Sequence, residues 1–313
     1  MTYYTLGELL KSLRESKNLS QEDTCKGICD RRTYIRWEKN EVEPSNHNLH
    51  LLSNRLNYDI QAYYKFLIRN TSPNVWDLKQ NAESCIDNED WAKLLHYIHE
   101  MEQTSHFKTS ENAALLCYYK ALYNNCYLHN YTISLDYCVQ GLQYENPSFS
   151  INTFEIIFYS NTDLCLLNCL ACNLNKLNRP QEANHIFSQM IQSIDKKLIP
   201  EITYYQSTEF ETKIYQIAIY NLTLNYQRCN DHKTALHYIE KGIQFLLSSN
   251  SLYNLANLLK LKFKTLYALE NYKESSDAYK LCLGLYQLEN KEAIIEECKS
   301  SINSDYPKLL SYL

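Results

Sequence analysis

One stretch of the chain limits its fold more than any other: LSQEDTCKGICDRRTYIRWE, from Leu19 to Glu38. Ser20 is a good helix N-cap, because its hydroxyl can accept from a free backbone N–H. Gln21, Glu22 and Asp23 load the first turn with polar and acidic groups that suit the positive end of the helix dipole. That helix runs out near Gly27, a second start signal follows at Asp30, and the helix from Arg31 to Lys39 carries three arginines. The stretch predicts two short helices joined by a tight turn, the second one basic at its start.

The rest of the chain must also be helical. Only five of the 313 residues are Gly and six are Pro, too few turn-makers for a β-rich fold, which needs them at every hairpin. An all-α chain of two domains is expected. No apolar run reaches membrane-spanning length, MTYYTLGELLKSLRESK lacks a signal-peptide core, and the 12 cysteines form no framework. A soluble cytoplasmic protein with reduced thiols and no membrane partner is therefore expected. The net charge of −5 is unevenly spread: residues 1–70 hold 11 Lys/Arg against 9 Asp/Glu, and the remainder holds 20 against 27. Phosphate attraction acts over roughly a Debye length, about 8 Å at physiological salt, so the first segment can bind nucleic acid although the whole is acidic.

In chain order, Leu6, Leu9, Leu10 and Leu13 share one face of a first helix. After the two helices described above, Glu43-Pro44-Ser45 stops and restarts the chain, with Ser45 as a cap. Leu49, Leu52 and Leu56 give the stripe of a fourth helix. Asp59 caps a fifth through Arg69, with Ala62, Tyr63, Phe66 and Leu67 facing in. This is a five-helix bundle with the plan of a helix-turn-helix DNA reader. Its boundary is expected in the polar stretch 70–74, giving domains 1–70 and 75–313. Beyond it CIDNEDWAKLLHYI, LHNYTISLDYCVQGL, KLNRPQEANHIFSQM, RCNDHKTALHYIEKGI and ALENYKESSDAYKLCL each give a polar turn and then a helix, preceded by another amphipathic helix. Lys291 to Leu313 reads as a capping helix with a short tail.

The segment Leu6–Leu67 resembles the Xre/Cro-type helix-turn-helix family through Ser20, Gln21, Arg36, Trp37 and Glu38. The repeated helix pairs resemble tetratricopeptide repeats. Ala171, Ala183 and Phe187 match one copy, and Leu222, Tyr226, Ala235 and Gly242 the next. Leu122 and Phe263 depart from the pattern, and the spacing of about 40 to 50 residues exceeds the standard ~34. A helix-turn-helix followed by a TPR-like α-solenoid resembles the PlcR/Rgg group of peptide-pheromone receptors. ICDRRTYIRWE and YDIQAYYKFLI are similar to the PlcR form.

The plan and the resemblance together nominate site residues. Arg31, Arg32 and Thr33 open the recognition helix, the end that enters the major groove, where arginine can bind guanine bidentately. The resemblance implies a phosphate contact for Gln21. Arg36, Lys39 and Asn40 are phosphate contacts or internal partners, Tyr34 and Trp37 belong to the core, and Glu38 is expected to pair with Arg14. The partner would be a double-stranded operator with palindromic half-sites, bound by a homodimer formed through the repeat domain. Leu281, Leu285, Ile294 and Ile295 put apolar surface near its C-terminus. The resemblance also implies a short signalling peptide, its main chain held by Asn168 and Asn221, since an amide both donates and accepts. Helical spacing adds Tyr119, Tyr123, Tyr220, Asn257, Lys260, Lys264 and Tyr267.

Other residues lead away from chemistry. Cys165, Cys169 and Cys172 lack a second ligand pair for zinc and read as buried thiols. His96 and His99 have no HExxH glutamate, and no phosphate loop or nucleophile elbow appears, so neither a cofactor nor catalysis is expected. Two other functions stay open: an interaction adaptor whose N-terminal bundle no longer reads DNA, and an Xre-type repressor whose repeats only dimerise it.

Overall fold

The start signals read from the sequence are made as backbone caps. Ser20 accepts from the Asp23 amide at 3.1 Å, Asp30 from Thr33 at 2.9 Å and Ser45 from Asn48 at 3.2 Å. Thr5 and Glu8 add a reciprocal capping box at the first helix. The computed structural model describes residues 5–60, 73–144, 146–152, 160–197 and 209–313, and among these there is no strand. The chain divides into two units, residues 1–88 and 89–313.

The first unit contains α1 (Leu6–Ser16), α2 (Gln21–Cys25), α3 (Arg31–Glu38), α4 (Asn46–Leu56) and α5 (Pro73–Asp87). Helix α1 packs on α3, and α2 packs on both α3 and α4. Their apolar stripes meet in a core of Leu6, Leu10, Cys25, Tyr34, Trp37, Leu49, Leu52, Leu56 and Ile60. Tyr34 and Trp37 are buried as expected, edge-to-face with centroids 6.2 Å apart. The expected helix 59–69 lies outside the described residues beyond Ile60. The expected boundary at 70–74 overlaps the start of α5: Pro73 is its first residue, where a fixed φ suits a helix. Helix α5 groups with the first unit, which ends just past it at Asn88.

Gly7 sets the spacing of α1 and α3. A Cβ built there would lie 2.4 Å from the Glu38 carbonyl oxygen and 2.6 Å from that of Trp37. Only glycine lets the two backbones approach this closely.

The second unit runs α6 (Trp91–Gln103), α7 (Ser110–Leu122), α8 (Tyr131–Gln143), α9 (Asn161–Lys176), α10 (Pro180–Lys197), α11 (Glu209–Arg228), α12 (His232–Ser248), α13 (Leu255–Ala268), α14 (Tyr272–Leu288) and α15 (Glu292–Asp305). Each helix packs on the next, and α7, α9, α11 and α13 also touch in succession. They form the inner file of a TPR-like α-solenoid, in which each pair buries its apolar face against the following one. Ala171, Ala183 and Phe187 are fully buried, and Gly242 lets α12 approach Ile219 of α11. Phe263, which departs from the repeat pattern, is also fully buried, edge-on to Tyr279 and Tyr306. The C-terminal segment closes the array through Ile302 of α15 and Leu309 of a final 3₁₀ turn.

Polar groups bolt the helices together. Asp195 of α10 accepts from Tyr215 of α11 at 3.0 Å and from Lys241 of α12 at 2.6 Å. Asn125 donates to Asn173 at 2.6 Å, and Asn173 donates to Ser134 at 2.8 Å, entirely out of solvent at its own position. Asn225 donates to Asn175 at 2.9 Å and to Asn184 at 2.7 Å. A buried amide is tolerated only when paired in this way. Asparagine also ends the helices: Asn18, Asn40, Asn57, Asn178, Asn230, Asn250 and Asn290 take positive φ at or just past a C-terminus, the place glycine usually fills. A chain with five glycines can thus end one helix after another among the described residues. A single π turn, Tyr123–Tyr127, continues α7.

Candidate functional site

The turn between α2 and α3 is fixed from both sides. Gly27 takes φ +78°, and Arg55 of α4 donates to the carbonyls of Asp23 and, at 2.9 Å, Lys26, satisfying the free end of α2. Glu38 holds the two helices from within. Its carboxylate accepts from Arg14 Nε at 2.6 Å and from Gln21 Nε2 at 2.8 Å, with side chains only 12% (Arg14) and 6% (Glu38) exposed. The expected Arg14–Glu38 pair is therefore present. Burial, with Glu38 next, pushes the Tyr34 phenol up, so it stays protonated.

This frame presents the first turn of α3. Arg31 and Arg32 are exposed, and among the described residues neither has a hydrogen-bond or ion-pair partner. Thr33 is tied back, its hydroxyl donating to Asp30 at 2.7 Å, and hydrogen bonds from the Thr33 hydroxyl and backbone hold the Asp30 carboxyl below the usual range. Arg36 lies 3.7 Å from Glu41, both half exposed, and Lys39 is exposed. Gln21 spends one amide N–H on Glu38. Of the two roles its place suggests, Asn40 takes the internal one. It accepts from the Gly7 amide at 2.8 Å and donates to Thr5 at 2.8 Å, so it staples α1 to the end of α3.

The residues nominated in the repeats fall into three groups. Asn168 and Asn221 are half-buried on α9 and α11 of the inner file. The Asn168 Oδ1 is buried without a hydrogen-bond partner among the described residues, and Asn221 Nδ2 reaches only the Cys172 sulfur, at 3.8 Å. Tyr220, on the same helix as Asn221, is half-buried, as is Tyr123, which meets Tyr127 at 5.4 Å in the π turn. The remaining nominees, Lys264 apart, have work inside the fold. Tyr119 is 1% exposed and belongs to the core. Asn257 donates to Asn254 and accepts from Tyr286, both at 2.5 Å. Tyr267 sits edge-on to Tyr272 and Tyr306. Lys260 pairs with Glu297 at 2.9 Å, and Lys264 is half-buried one turn further on. The sequence reading missed the asparagine bolts, whose only signal was an excess of Asn in inner helices.

The thiols have no exposed reactive pair. Burial raises Cys172 to about 12 and Cys117 to about 11, which leaves them protonated and inert at neutral pH. Among the described residues no cluster of three or more His, Cys, Asp or Glu is placed to hold a metal ion, and no helix is long and apolar enough to cross a membrane.

Residues 10–63 match the helix-turn-helix family model. No curated protein sequence matches the chain. Among solved structures, Bacillus thuringiensis PlcR in complex with the peptide PapR7 and DNA is similar over 94% of this chain and 98% of that one, at 17% identity and a TM-score of 0.68. The Streptococcus dysgalactiae SHP pheromone receptor Rgg2 is similar over 96% and 100%, at 14% identity and a TM-score of 0.64. ComR from S. thermophilus, in complex with DNA and its signalling peptide ComS, follows at 96% and 99%, with 16% identity and a TM-score of 0.54. The head of this chain is a helix-turn-helix domain, and the chain as a whole has the fold shared by the PlcR, Rgg and ComR regulators.

Proposed function

We propose that this protein is a cytoplasmic quorum-sensing transcription regulator, which reads DNA through its helix-turn-helix and takes a short signalling peptide on the inner face of its tetratricopeptide-like repeats. The observation that carries the reading is a pair of unsatisfied polar sites, one in each unit. Arg31 and Arg32 stand free on the first turn of α3, the part of a recognition helix that meets base edges. Asn168 keeps a buried carbonyl oxygen without a donor on the inner file, where an extended peptide could supply a backbone N–H. Gln21, Arg36 and Lys39 flank the arginines and serve phosphates, while Asn40 and Thr33 position the helix. Asn221 and Tyr220 extend the peptide site along α11. PlcR bound to PapR7 and DNA, and ComR bound to DNA and ComS, have the same architecture at low identity.

A nearly neutral head binds DNA weakly alone, so the reading includes a homodimer on two half-sites. Leu281 and Leu288 line one face of α14 and are 61% and 78% exposed, with half-buried Leu285 between them. They offer the apolar surface for that dimer.

Two measurements test the reading. In the first, Arg32→Ala should lower operator affinity by on the order of 1–3 kcal/mol and relax preference at one base position, as scored by binding selection on randomised DNA. Unchanged sequence preference would remove Arg32 from the base-reading face. In the second, the full-length chain is titrated calorimetrically with peptides encoded by the open reading frame beside its gene. Asn168→Ala should weaken the cognate peptide roughly tenfold to a hundredfold, because a buried unpaired partner costs about 1–3 kcal/mol. Thermal stability should barely move, since the Asn168 oxygen has no bond to lose. A lower melting temperature with unchanged affinity would make Asn168 structural.

A further inference from the structure

Helix α13 carries three lysines and no carboxylate. Two of them are answered by neighbours: Lys262 lies 3.5 Å from Glu240, and Lys260 2.9 Å from Glu297. Lys264 has neither a hydrogen bond nor an ion pair among the described residues. Its charge still reaches Glu297, whose carboxyl is held low first by the hydrogen bond from Lys260 and more weakly by Lys264. Two lysines therefore share one carboxylate, and one positive charge is left over. The place is partly desolvated, with Lys260 only 18% exposed, so an added anion gains more there than at an open surface.

Elsewhere in the inner file α7 carries one exposed carboxylate, Glu111 in its first turn, while α9 and α11 offer an anion little competition. On α9 the single carboxylate, Asp163, is buried and caps the helix with Ser160. On α11, Glu209 pairs with Lys213 at 2.6 Å and Glu211 is buried. On the same side of α13, one turn before Lys260, the amide of Asn257 binds the Tyr286 hydroxyl.

We propose that the peptide taken by the inner face is anionic, and that Lys264, beside the half-neutralised Lys260, selects it by receiving a carboxylate. This rests on the peptide reading above and adds the charge class of the ligand. The body of the protein is acidic overall, so bulk charge would repel such a peptide, and the local cation must supply the preference.

The probe is an mRNA-displayed library of random octapeptides, selected on the full-length chain and on its Lys264→Glu and Lys264→Gln variants. Circular dichroism confirms that both variants are folded. Selection on the natural sequence should enrich Asp and Glu over the input library, and Lys264→Glu should abolish that bias. An enriched acidic peptide, resynthesised, should bind Lys264→Gln about tenfold more weakly or worse, the loss expected for one charged hydrogen bond. Comparing free with amidated C-termini, and Glu with Gln in the peptide, assigns the carboxylate to chain end or side chain. Enriched peptides without acidic bias, or a bias that persists on Lys264→Glu, would overturn the charge assignment and leave peptide binding standing. If no peptide is enriched at all, the peptide reading and this inference fall together.

Discussion

Gly7→Ala is expected to unfold the head of the protein while the repeats stay folded. In an isolated helix this change would be favourable by about 1 kcal/mol, because alanine is the better helix former. Here the new Cβ meets the carbonyl oxygens of Glu38 and Trp37 at 2.4 and 2.6 Å, and these are backbone atoms that cannot rotate away. Helix α1 would have to leave α3, losing the Gly7–Asn40 hydrogen bond and opening the core at Leu6 and Leu10. The clash outweighs the propensity, and the net loss should exceed about 3 kcal/mol. Hydrogen exchange read by mass spectrometry checks this. Peptides from 6–56 should lose protection while those from 161–288 keep it. Protection in the head at the level of the natural sequence would show that the α1–α3 contact is looser than described.

Glu38→Ala should be nearly as costly, by another route. The carboxylate accepts from Arg14 at 2.6 and 3.4 Å and from Gln21 at 2.8 Å. Removing it takes the main partner from a guanidinium that is only 12% exposed and keeps just the Leu19 carbonyl at 3.2 Å and Glu15 at 3.3 Å; breaking a buried pair from one side costs about 3–5 kcal/mol. The double variant Arg14→Met with Glu38→Leu should recover most of that, since apolar replacement of a buried pair is often neutral. A thermodynamic cycle on thermal unfolding gives the coupling. If the single change costs under 1 kcal/mol, solvent already reaches the pair. Because Gln21 hangs on the same carboxylate, DNA affinity should fall with stability.

How much of this was legible depended on whether the determining contacts were local. Ser20, Asp30 and Ser45 were readable as caps because a cap is made with the residue three positions on. The buried Tyr34 and Trp37 and the Arg14–Glu38 pair followed from the motif. The role of Asn40 stayed open between phosphate contact and internal partner because Thr5 and Gly7 stand more than thirty residues earlier, where spacing along its own helix says nothing. Tyr119 failed for a related reason. Its helix is apolar on several sides, so periodicity did not say which tyrosine faces in. Helical spacing named Asn257, Lys260, Lys264 and Tyr267 of α13 together, yet the sequence could not show that Tyr286, Glu297 and Tyr306 engage three of the four. The free Lys264 emerges only once those partners are known.

The asparagines at the helix ends bear on how such an array can change over evolutionary time. A left-handed residue stops a helix by its own backbone conformation, without reference to the helix packed beside it. Residues inserted after Asn178 or Asn230 therefore lengthen a connection without shifting which side chains of the neighbouring pair meet. Copies can drift in length one at a time, and repeats spaced by about 40 to 50 residues still stack, because each stop is written in the few residues where it acts.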